Sequence, residues 1–101
     1  MSFEMRPGDQ GYLTGTLLFV DGSQLHFSEY LDHTGDVVDK LMYTYQYQDA
    51  NHQLIFRYDN ARHKPALSSV AHKHLPGQII EAAPPTLDEV LAEIVTARGW
   101  L

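Results

Sequence analysis

The chain contains no cysteine and no long apolar run. The absence of cysteine excludes a disulfide scaffold and any metal site built on thiolates, and it is typical of a reducing compartment. No apolar run approaches the roughly 20 residues that a membrane-spanning helix needs. The N-terminal sequence MSFEMRPGDQGY lacks the basic and apolar regions of a secretory signal. We therefore expect a soluble, cytoplasmic protein that makes no contact with a membrane.

Basic residues are scarce, with seven Lys and Arg against thirteen Asp and Glu, so the net charge is −6 at pH 7. An acidic surface argues against nucleic acid as a ligand, because phosphates attract cations. The charge is unevenly distributed, however. Residues 57–74 carry four basic residues and one carboxylate, which makes this segment +3 and the remainder −9, and they include three of the six histidines. Such a local cationic patch is compatible with a phosphate-bearing ligand.

A length of 101 residues predicts a single domain, over residues 1–101, with one modest core. Four segments rich in β-branched, aromatic and alternating apolar residues predict strands. The first two flank the turn dipeptide Asp21-Gly22 and predict a β-hairpin. The connections are short, so the strands should form an antiparallel meander over residues 11–60. The four predicted strands are GYLTGTLLFV (11–20), QLHFSEYLD (24–32), KLMYTYQYQ (40–48) and QLIFRYDN (53–60).

The C-terminal part predicts one helix, over residues 86–98. Thr86 and Glu89 match a capping box, an apolar stripe follows at helical spacing, and Gly99 is a natural stop. Residues 1–10 are interpreted as a loose lead-in. Residues 61–85 are interpreted as a His- and Lys-rich loop and linker, with an extended piece at 72–74 and either a linker or an edge strand after it.

The predicted fold is therefore α+β, a four-stranded antiparallel sheet with a C-terminal helix packed on one face. A single helix covers one face of a sheet at best, yet both faces of the predicted strands carry large apolar residues. We expect the second face to be covered by residues 60–80 or by a second copy of the chain. The sequence thus favours a homodimer or an obligate complex.

Three carboxylate and guanidinium groups form the first set of candidate site residues. Arg57 and Asp59 are two apart on a strand, so their side chains leave the same face. They are either a structural ion pair or a phosphate-binding arginine oriented by a carboxylate. Glu29 lies on the core-facing side of the second strand and needs a polar partner unless the strand end is solvated. We expect that partner to be Arg57.

Three histidines form the second set. His72 and His74 are an H-x-H pair that projects to one side if the backbone is extended, with Lys73 then pointing away, and a loop can bring His63 to them. Three explanations stay open. The segment is a surface loop, or a His/Asp metal site that the nearby cations disfavour, or a metal-free acid–base site for RNA cleavage.

Tyr43, Tyr45 and Tyr47 share one side of the third strand. Such a stripe either stacks nucleic-acid bases or packs against a helix. At least two of the three are expected to pack in the core. Tyr45 and Asn60 are kept as candidate substrate-binding residues beside Lys73.

The residue pattern resembles the TumE-type family of small bacterial and archaeal toxins. The shared motifs are D-G-S and E-Y in the second strand, Y-x-Y in the third, R-Y-D-N-x-x-H in the fourth, and H-K-H-L-P after it. The resemblance covers roughly residues 11–95, and Arg62 is its one departure, because a small residue or proline is expected there. It implies the toxin half of a type II toxin–antitoxin module, with a helix-turn-helix antitoxin as partner.

The combined hypothesis is a metal-independent ribonuclease toxin with no cofactor and RNA as substrate. His72 and His74 would transfer protons, supported by His63. Arg57 and Lys73 would hold phosphate, while Asp59 and Glu29 would orient Arg57 or a histidine. The alternatives are a non-catalytic protein-binding module and a metal-dependent hydrolase that uses His and Asp ligands.

Overall fold

The computed structural model describes residues 2–6, 10–34, 37–60 and 71–100. These residues form one antiparallel sheet, in which the strands follow each other in chain order, and one C-terminal helix. Among the described residues, no helix has the length and apolar character that crossing a membrane requires. The elements are β1 (Ser2–Arg6), β2 (Gln10–Leu18), β3 (Gln24–Thr34), β4 (Val37–Gln48), β5 (Leu54–Asp59), β6 (His72–Leu75), β7 (Gln78–Glu81) and α1 (Leu87–Arg98).

The α+β class and the C-terminal helix are confirmed, but the predicted number of four strands is wrong. The described part of the chain contains seven. Residues 2–6, predicted to be a loose lead-in, pair with β2. Part of the predicted loop and linker forms the β6–β7 hairpin, which pairs with β5 through β6. Its turn is Pro76-Gly77, where Gly77 has a φ of 82°. Proline followed by a glycine with positive φ is the chemistry of a type II turn.

The core lies between α1 and one face of the sheet, here called the helix face. Directly opposed residues on neighbouring strands point to the same face. Tyr45, for example, lies opposite Phe27 on one side and Tyr58 on the other. Val90 and Ile94 of the predicted apolar stripe are buried against this face. The other buried members of the core are Leu25, Phe27, Tyr43, Tyr45, Tyr47 and Phe56.

The capping box that the sequence predicted is present at the start of α1. The Thr86 hydroxyl accepts a hydrogen bond from the Glu89 backbone N–H at 3.1 Å, and the Glu89 carboxylate accepts one from the Thr86 N–H at 3.1 Å. These bonds satisfy two of the backbone donors that a helix start leaves without partners. Gly99 ends the helix in the left-handed conformation. Local sequence therefore sets both ends of the helix that closes the core.

Gly15 leaves room for the ring of Phe27 on the neighbouring strand. It lies opposite Phe27, and a β-carbon at position 15 would be 2.5 Å from Cζ of that buried ring. We expect Gly15→Ala to lower the free energy of unfolding by about 1–3 kcal/mol, because the ring must move within a packed core. Urea denaturation measures the change. Leu18→Ala on the same strand, where the side chain is 70% exposed, is the control and should stay within about 0.5 kcal/mol. Equal stability of both variants would contradict the packing argument.

The face of the sheet opposite α1, here called the polar face, carries three rows of side chains that run across the strands. We expected residues 60–80 to cover this face. Residues 72–81 extend the sheet at its edge and do not cover it, and residues 61–70 lie outside the described ranges. The homodimer remains a prediction. The rows are Tyr12, Tyr30 and Met42; then Thr14, Ser28, Thr44, Asp59 and His72; then Thr16, His26, Gln46, Arg57 and His74.

Candidate active site

Asp59, the last residue of β5, is at the centre of a polar cluster on the polar face. Pairing of β5 with β6 places it opposite His72 and places Arg57 opposite His74. All four side chains leave the same face, because opposed residues and residues two apart on a strand share a face. The histidines therefore reach Arg57 and Asp59 through strand pairing. We call Arg57, Asp59, His72 and His74 the Asp59 cluster.

The Asp59 carboxylate has a polar contact to each other member of the cluster. Arg57 Nε donates to Oδ2 at 2.8 Å, His72 Nε2 lies 2.5 Å from Oδ1, and His74 Nε2 lies 3.3 Å from Oδ2. The carboxylate is almost completely buried, with 1% of the residue exposed. A buried carboxylate needs such partners to offset its lost hydration. The ion pair of Arg57 with Asp59 that the sequence suggested is thus present, and it includes both histidines of the H-x-H motif.

Exposure divides the Asp59 cluster into an inner and an outer pair. His72 is completely buried, whereas the side chains of His74 and Arg57 are 18% and 40% exposed. Nε2 of His74 is buried beside Asp59. Among the described residues, Arg57 has one polar partner, Asp59, which its Nε contacts. Its terminal nitrogens can therefore bind a ligand. The outer pair, His74 and Arg57, can touch a ligand. The inner pair, Asp59 and His72, can hold the outer pair in place.

The same residues offer a set of metal ligands. The donor atoms of Asp59, His72 and His74 all lie within 4.8 Å of one another. One carboxylate and two imidazoles are a common partial ligand set for zinc and related ions. Arg57 competes with a cation there, since its Nε already occupies Oδ2 of Asp59. The geometry is compatible with both metal-free and metal-dependent chemistry, and the charge of Arg57 favours the first.

Glu29 does not join the Asp59 cluster, and the expectation that Arg57 is its partner is wrong. The sheet register places Glu29 opposite Tyr43 on the helix face, whereas Arg57 lies on the polar face. Glu29 instead accepts a hydrogen bond from the Tyr45 hydroxyl and lies 3.7 Å from Lys40 Nζ. Lys40 also donates to the Tyr45 hydroxyl at 2.6 Å and to the Pro85 carbonyl at 2.7 Å. This network ties β3 and β4 to the segment that precedes α1.

Tyr45 should ionise only when the protein unfolds. Burial of the ring, together with the hydrogen bond to Glu29, raises the pKa of Tyr45 above its ordinary value of 10.0. The unfolded chain then loses this proton at lower pH than the folded chain does. The stabilisation from Tyr45 is therefore complete below pH 10 and is lost as the pH rises further. In an alkaline titration, tyrosinate absorbance should show a late step that coincides with loss of the far-ultraviolet circular dichroism. Tyr45→Phe should reduce that step, and its ionisation in an intact fold would contradict this account.

The structure places the remaining predicted substrate contacts outside the Asp59 cluster. Lys73 lies on the helix face and donates to Glu93 at 2.8 Å. Burial is the largest single effect and would lower the pKa of Lys73, but the hydrogen bonds and charges of Glu93 and Tyr58 together outweigh it, so the pKa is raised. Tyr45 is completely buried in the core. Asn60 bonds to the backbone of β4, through its amide to the Leu41 carbonyl at 2.8 Å and through its oxygen to the Tyr43 N–H at 3.1 Å. His63 lies outside the described residues.

The polar face also holds residues that the sequence did not single out. His26 lies in the same row as Arg57 and His74, and its Nδ1 is 2.9 Å from the Thr16 hydroxyl. Tyr12 and Tyr30 lie opposite each other in the row on the other side of Asp59. In the sequence, His26, Ser28 and Tyr30 alternate with apolar residues, and this alternation alone predicts that the three share one side of the strand. Only the register with β4 and β5 shows that this side is shared with Arg57.

A family model described as Toxin TumE matches residues 1–98, from the first strand through the end of the helix. The chain belongs to this family. The resemblance carried by the strand and histidine motifs is thereby confirmed, and the match extends it to both ends of the fold. Membership in a toxin family implies an antitoxin partner. No curated protein and no solved structure matches the chain.

Proposed function

We propose that this chain is the toxin of a toxin–antitoxin pair and that it arrests growth by cleaving RNA without a catalytic metal. Its family supports the toxin role. The observation that carries the chemistry is the outer pair of the Asp59 cluster, in which a histidine and an arginine are held side by side by one buried carboxylate. RNA cleavage needs a group that removes a proton and a cation that binds the phosphate.

His74 is the proton-transfer residue of this scheme. Its Nε2 faces Asp59, and we assign to its Nδ1 the removal of the proton from the ribose 2′-hydroxyl. The 2′ oxygen then bonds to phosphorus as the bond to the 5′ oxygen breaks. The products are a 2′,3′-cyclic phosphate and a 5′-hydroxyl that takes its proton from water. Orientation of an imidazole by a carboxylate on its other nitrogen is the arrangement used in catalytic triads.

Arg57 binds the phosphate in the same scheme. Its terminal guanidinium nitrogens form a planar fork that suits two non-bridging phosphate oxygens and stabilises the charge that develops on them. Asp59 is a positioning residue, because it is buried and contacts both Arg57 and His74. His72 has no exposed surface, and we assign to it the role of holding Asp59 in place. The proton transfers that the sequence suggested for His72 and His74 are therefore assigned to His74 alone. Lys73 and Glu29 have no part in the scheme.

Incubation of the purified protein with total RNA, with and without EDTA, tests this function. We expect cleavage in both reactions and fragments that end in 2′,3′-cyclic phosphate. Cleavage that EDTA abolishes would overturn the metal-free scheme in favour of a metal-dependent hydrolase with Asp59, His72 and His74 as ligands. Absence of cleavage by a protein that still arrests growth would support a non-catalytic binding module. The helix-turn-helix type of the antitoxin remains a prediction, which co-purification of the neighbouring gene product would examine.

A further inference from the structure

A cavity on the polar face has no role in the chemistry described above. Its volume is about 250 Å³, and it is lined by residues of β2, β3 and β4 and by Asn60. Tyr12, Tyr30 and Met42 form its aromatic and apolar part, while Ser28 and Thr44 provide hydroxyl groups. Binding sites for small planar groups commonly combine an apolar surface with a few polar groups.

The two tyrosines present ring surface to this cavity. Their ring centroids are 6.4 Å apart with an angle of 53° between the planes, so neither ring covers the face of the other. The hydroxyl of Tyr30 donates to the side chain of Gln10, which holds that ring in place. Both rings are half-buried, and Met42 in the same row is 58% exposed. Ring faces that are fixed on a sheet and accessible to solvent can stack bases of any sequence.

The cavity borders the Asp59 cluster directly. Thr44, which lines the cavity, lies opposite Asp59 on the neighbouring strand, and Ser28 lies opposite Thr44. Neighbouring strands are about 4.8 Å apart and residues two apart on one strand are about 6.6 Å apart, which places the Tyr30 backbone about 12 Å from that of Asp59. The base of a nucleotide that adjoins the scissile phosphate can therefore reach the tyrosines while Arg57 holds the phosphate.

We propose that Tyr12 and Tyr30 form a base-stacking subsite for single-stranded RNA, next to the cleavage site. This inference rests on the proposed function and gives its substrate the chemical class of an unpaired strand. Ser28 and Thr44, for which the described residues offer no side-chain partner, are placed to hydrogen-bond an edge of the base. The subsite takes the role that the sequence assigned to Tyr45, whose ring is buried in the core. The cationic charge near it is small, so stacking must supply much of the affinity.

Fluorescence anisotropy with a short, labelled, 2′-O-methyl RNA tests the subsite, because this RNA lacks the reacting hydroxyl and is not cleaved. Tyr12→Leu and Tyr30→Leu should each weaken binding about tenfold, the scale of one lost base stack. Tyr30→Trp, which keeps an aromatic ring face, should weaken binding less than Tyr30→Leu does. Trp100→Leu is the matched control, since Trp100 contacts Phe19, which packs with the core of the helix face. Denaturation curves identify any variant that is unfolded.

A second probe makes the result independent of folding. The same RNA with an abasic nucleotide beside the target phosphate should bind the natural protein at least about tenfold more weakly, and the loss should be smaller for Tyr30→Leu, which has only Tyr12 left to stack the base. Equal binding of both probes, with RNA cleavage intact, overturns the subsite and leaves the proposed function standing. Failure of the natural protein to bind or cleave RNA overturns both. Loss of antitoxin binding by the tyrosine variants, with RNA binding unchanged, overturns the subsite in favour of a protein interface.

Discussion

Replacement of His74 by glutamine is expected to reduce RNA cleavage by about 100- to 10,000-fold, the usual contribution of one proton-transfer residue. Glutamine keeps a polar group near Asp59 but cannot take up a proton at physiological pH. Because His74 is partly exposed, we expect the variant to remain folded. The measurement is the rate of appearance of cyclic-phosphate ends, together with growth of cells that express the variant without antitoxin.

His33→Gln is the matched control for this experiment, since His33 is exposed near the end of β3. It should cleave RNA and arrest growth as the natural protein does. The double variant His72→Ala/His74→Ala extends the test to the whole H-x-H motif. If that double variant is folded and fully toxic, the Asp59 cluster is not the active site.

Asp59→Ala is expected to have the largest effect on stability, near the lower end of the about 3–5 kcal/mol that follows loss of one partner from a buried polar pair. The substitution leaves the buried His72 ring without its carboxylate, whereas the exposed side of Arg57 regains water. RNA cleavage should be lost as well, because Arg57 and His74 lose the group that holds them together. Urea denaturation at neutral pH measures the first effect, and the cleavage assay measures the second.

Two comparisons separate structure from chemistry at position 59. Asp59→Asn keeps the size of the side chain and one acceptor oxygen, so it should cost less stability than alanine and still lower the cleavage rate. Asp88→Ala removes an exposed carboxylate from the first turn of α1 and should cost less than about 1 kcal/mol. If Asp59→Ala is as stable as Asp88→Ala, the cluster does not contribute to the fold in the way its burial indicates.

The features that the sequence predicted correctly are local. The capping box needs only Thr86 and Glu89, and the shared face of Arg57 and Asp59 follows from the two-residue repeat of a strand. The β2–β3 hairpin follows from a turn between two apolar runs. Each depends on residues close together in the chain, which is why the pattern of one segment is enough to predict it.

The missed features depend on which strands become neighbours. Ser2–Arg6 alternates polar and apolar residues over five positions only, which is too short a run to distinguish a strand from a loop, so its pairing with β2 is not visible in one segment. The same reason explains Glu29. Its position on the core side was predicted, but its partner depended on the register of β3 with β4, which brings Tyr45 and Lys40 to it.

The amino-acid sequence by itself determined the α+β class, the helix with both of its ends, the family and the segment that holds most of the candidate site residues. Only the tertiary structure decided which of those residues meet. Pairing of β6 with β5 brings both histidines of the H-x-H motif to Asp59 and sends Lys73 to Glu93 on the other face. Burial then makes His72 inaccessible and leaves His74 partly exposed. Sheet register brings the two tyrosines of β2 and β3 to the same face. The physical reason is that strand alternation is encoded locally, whereas register and burial arise from contacts between segments that are distant in the chain.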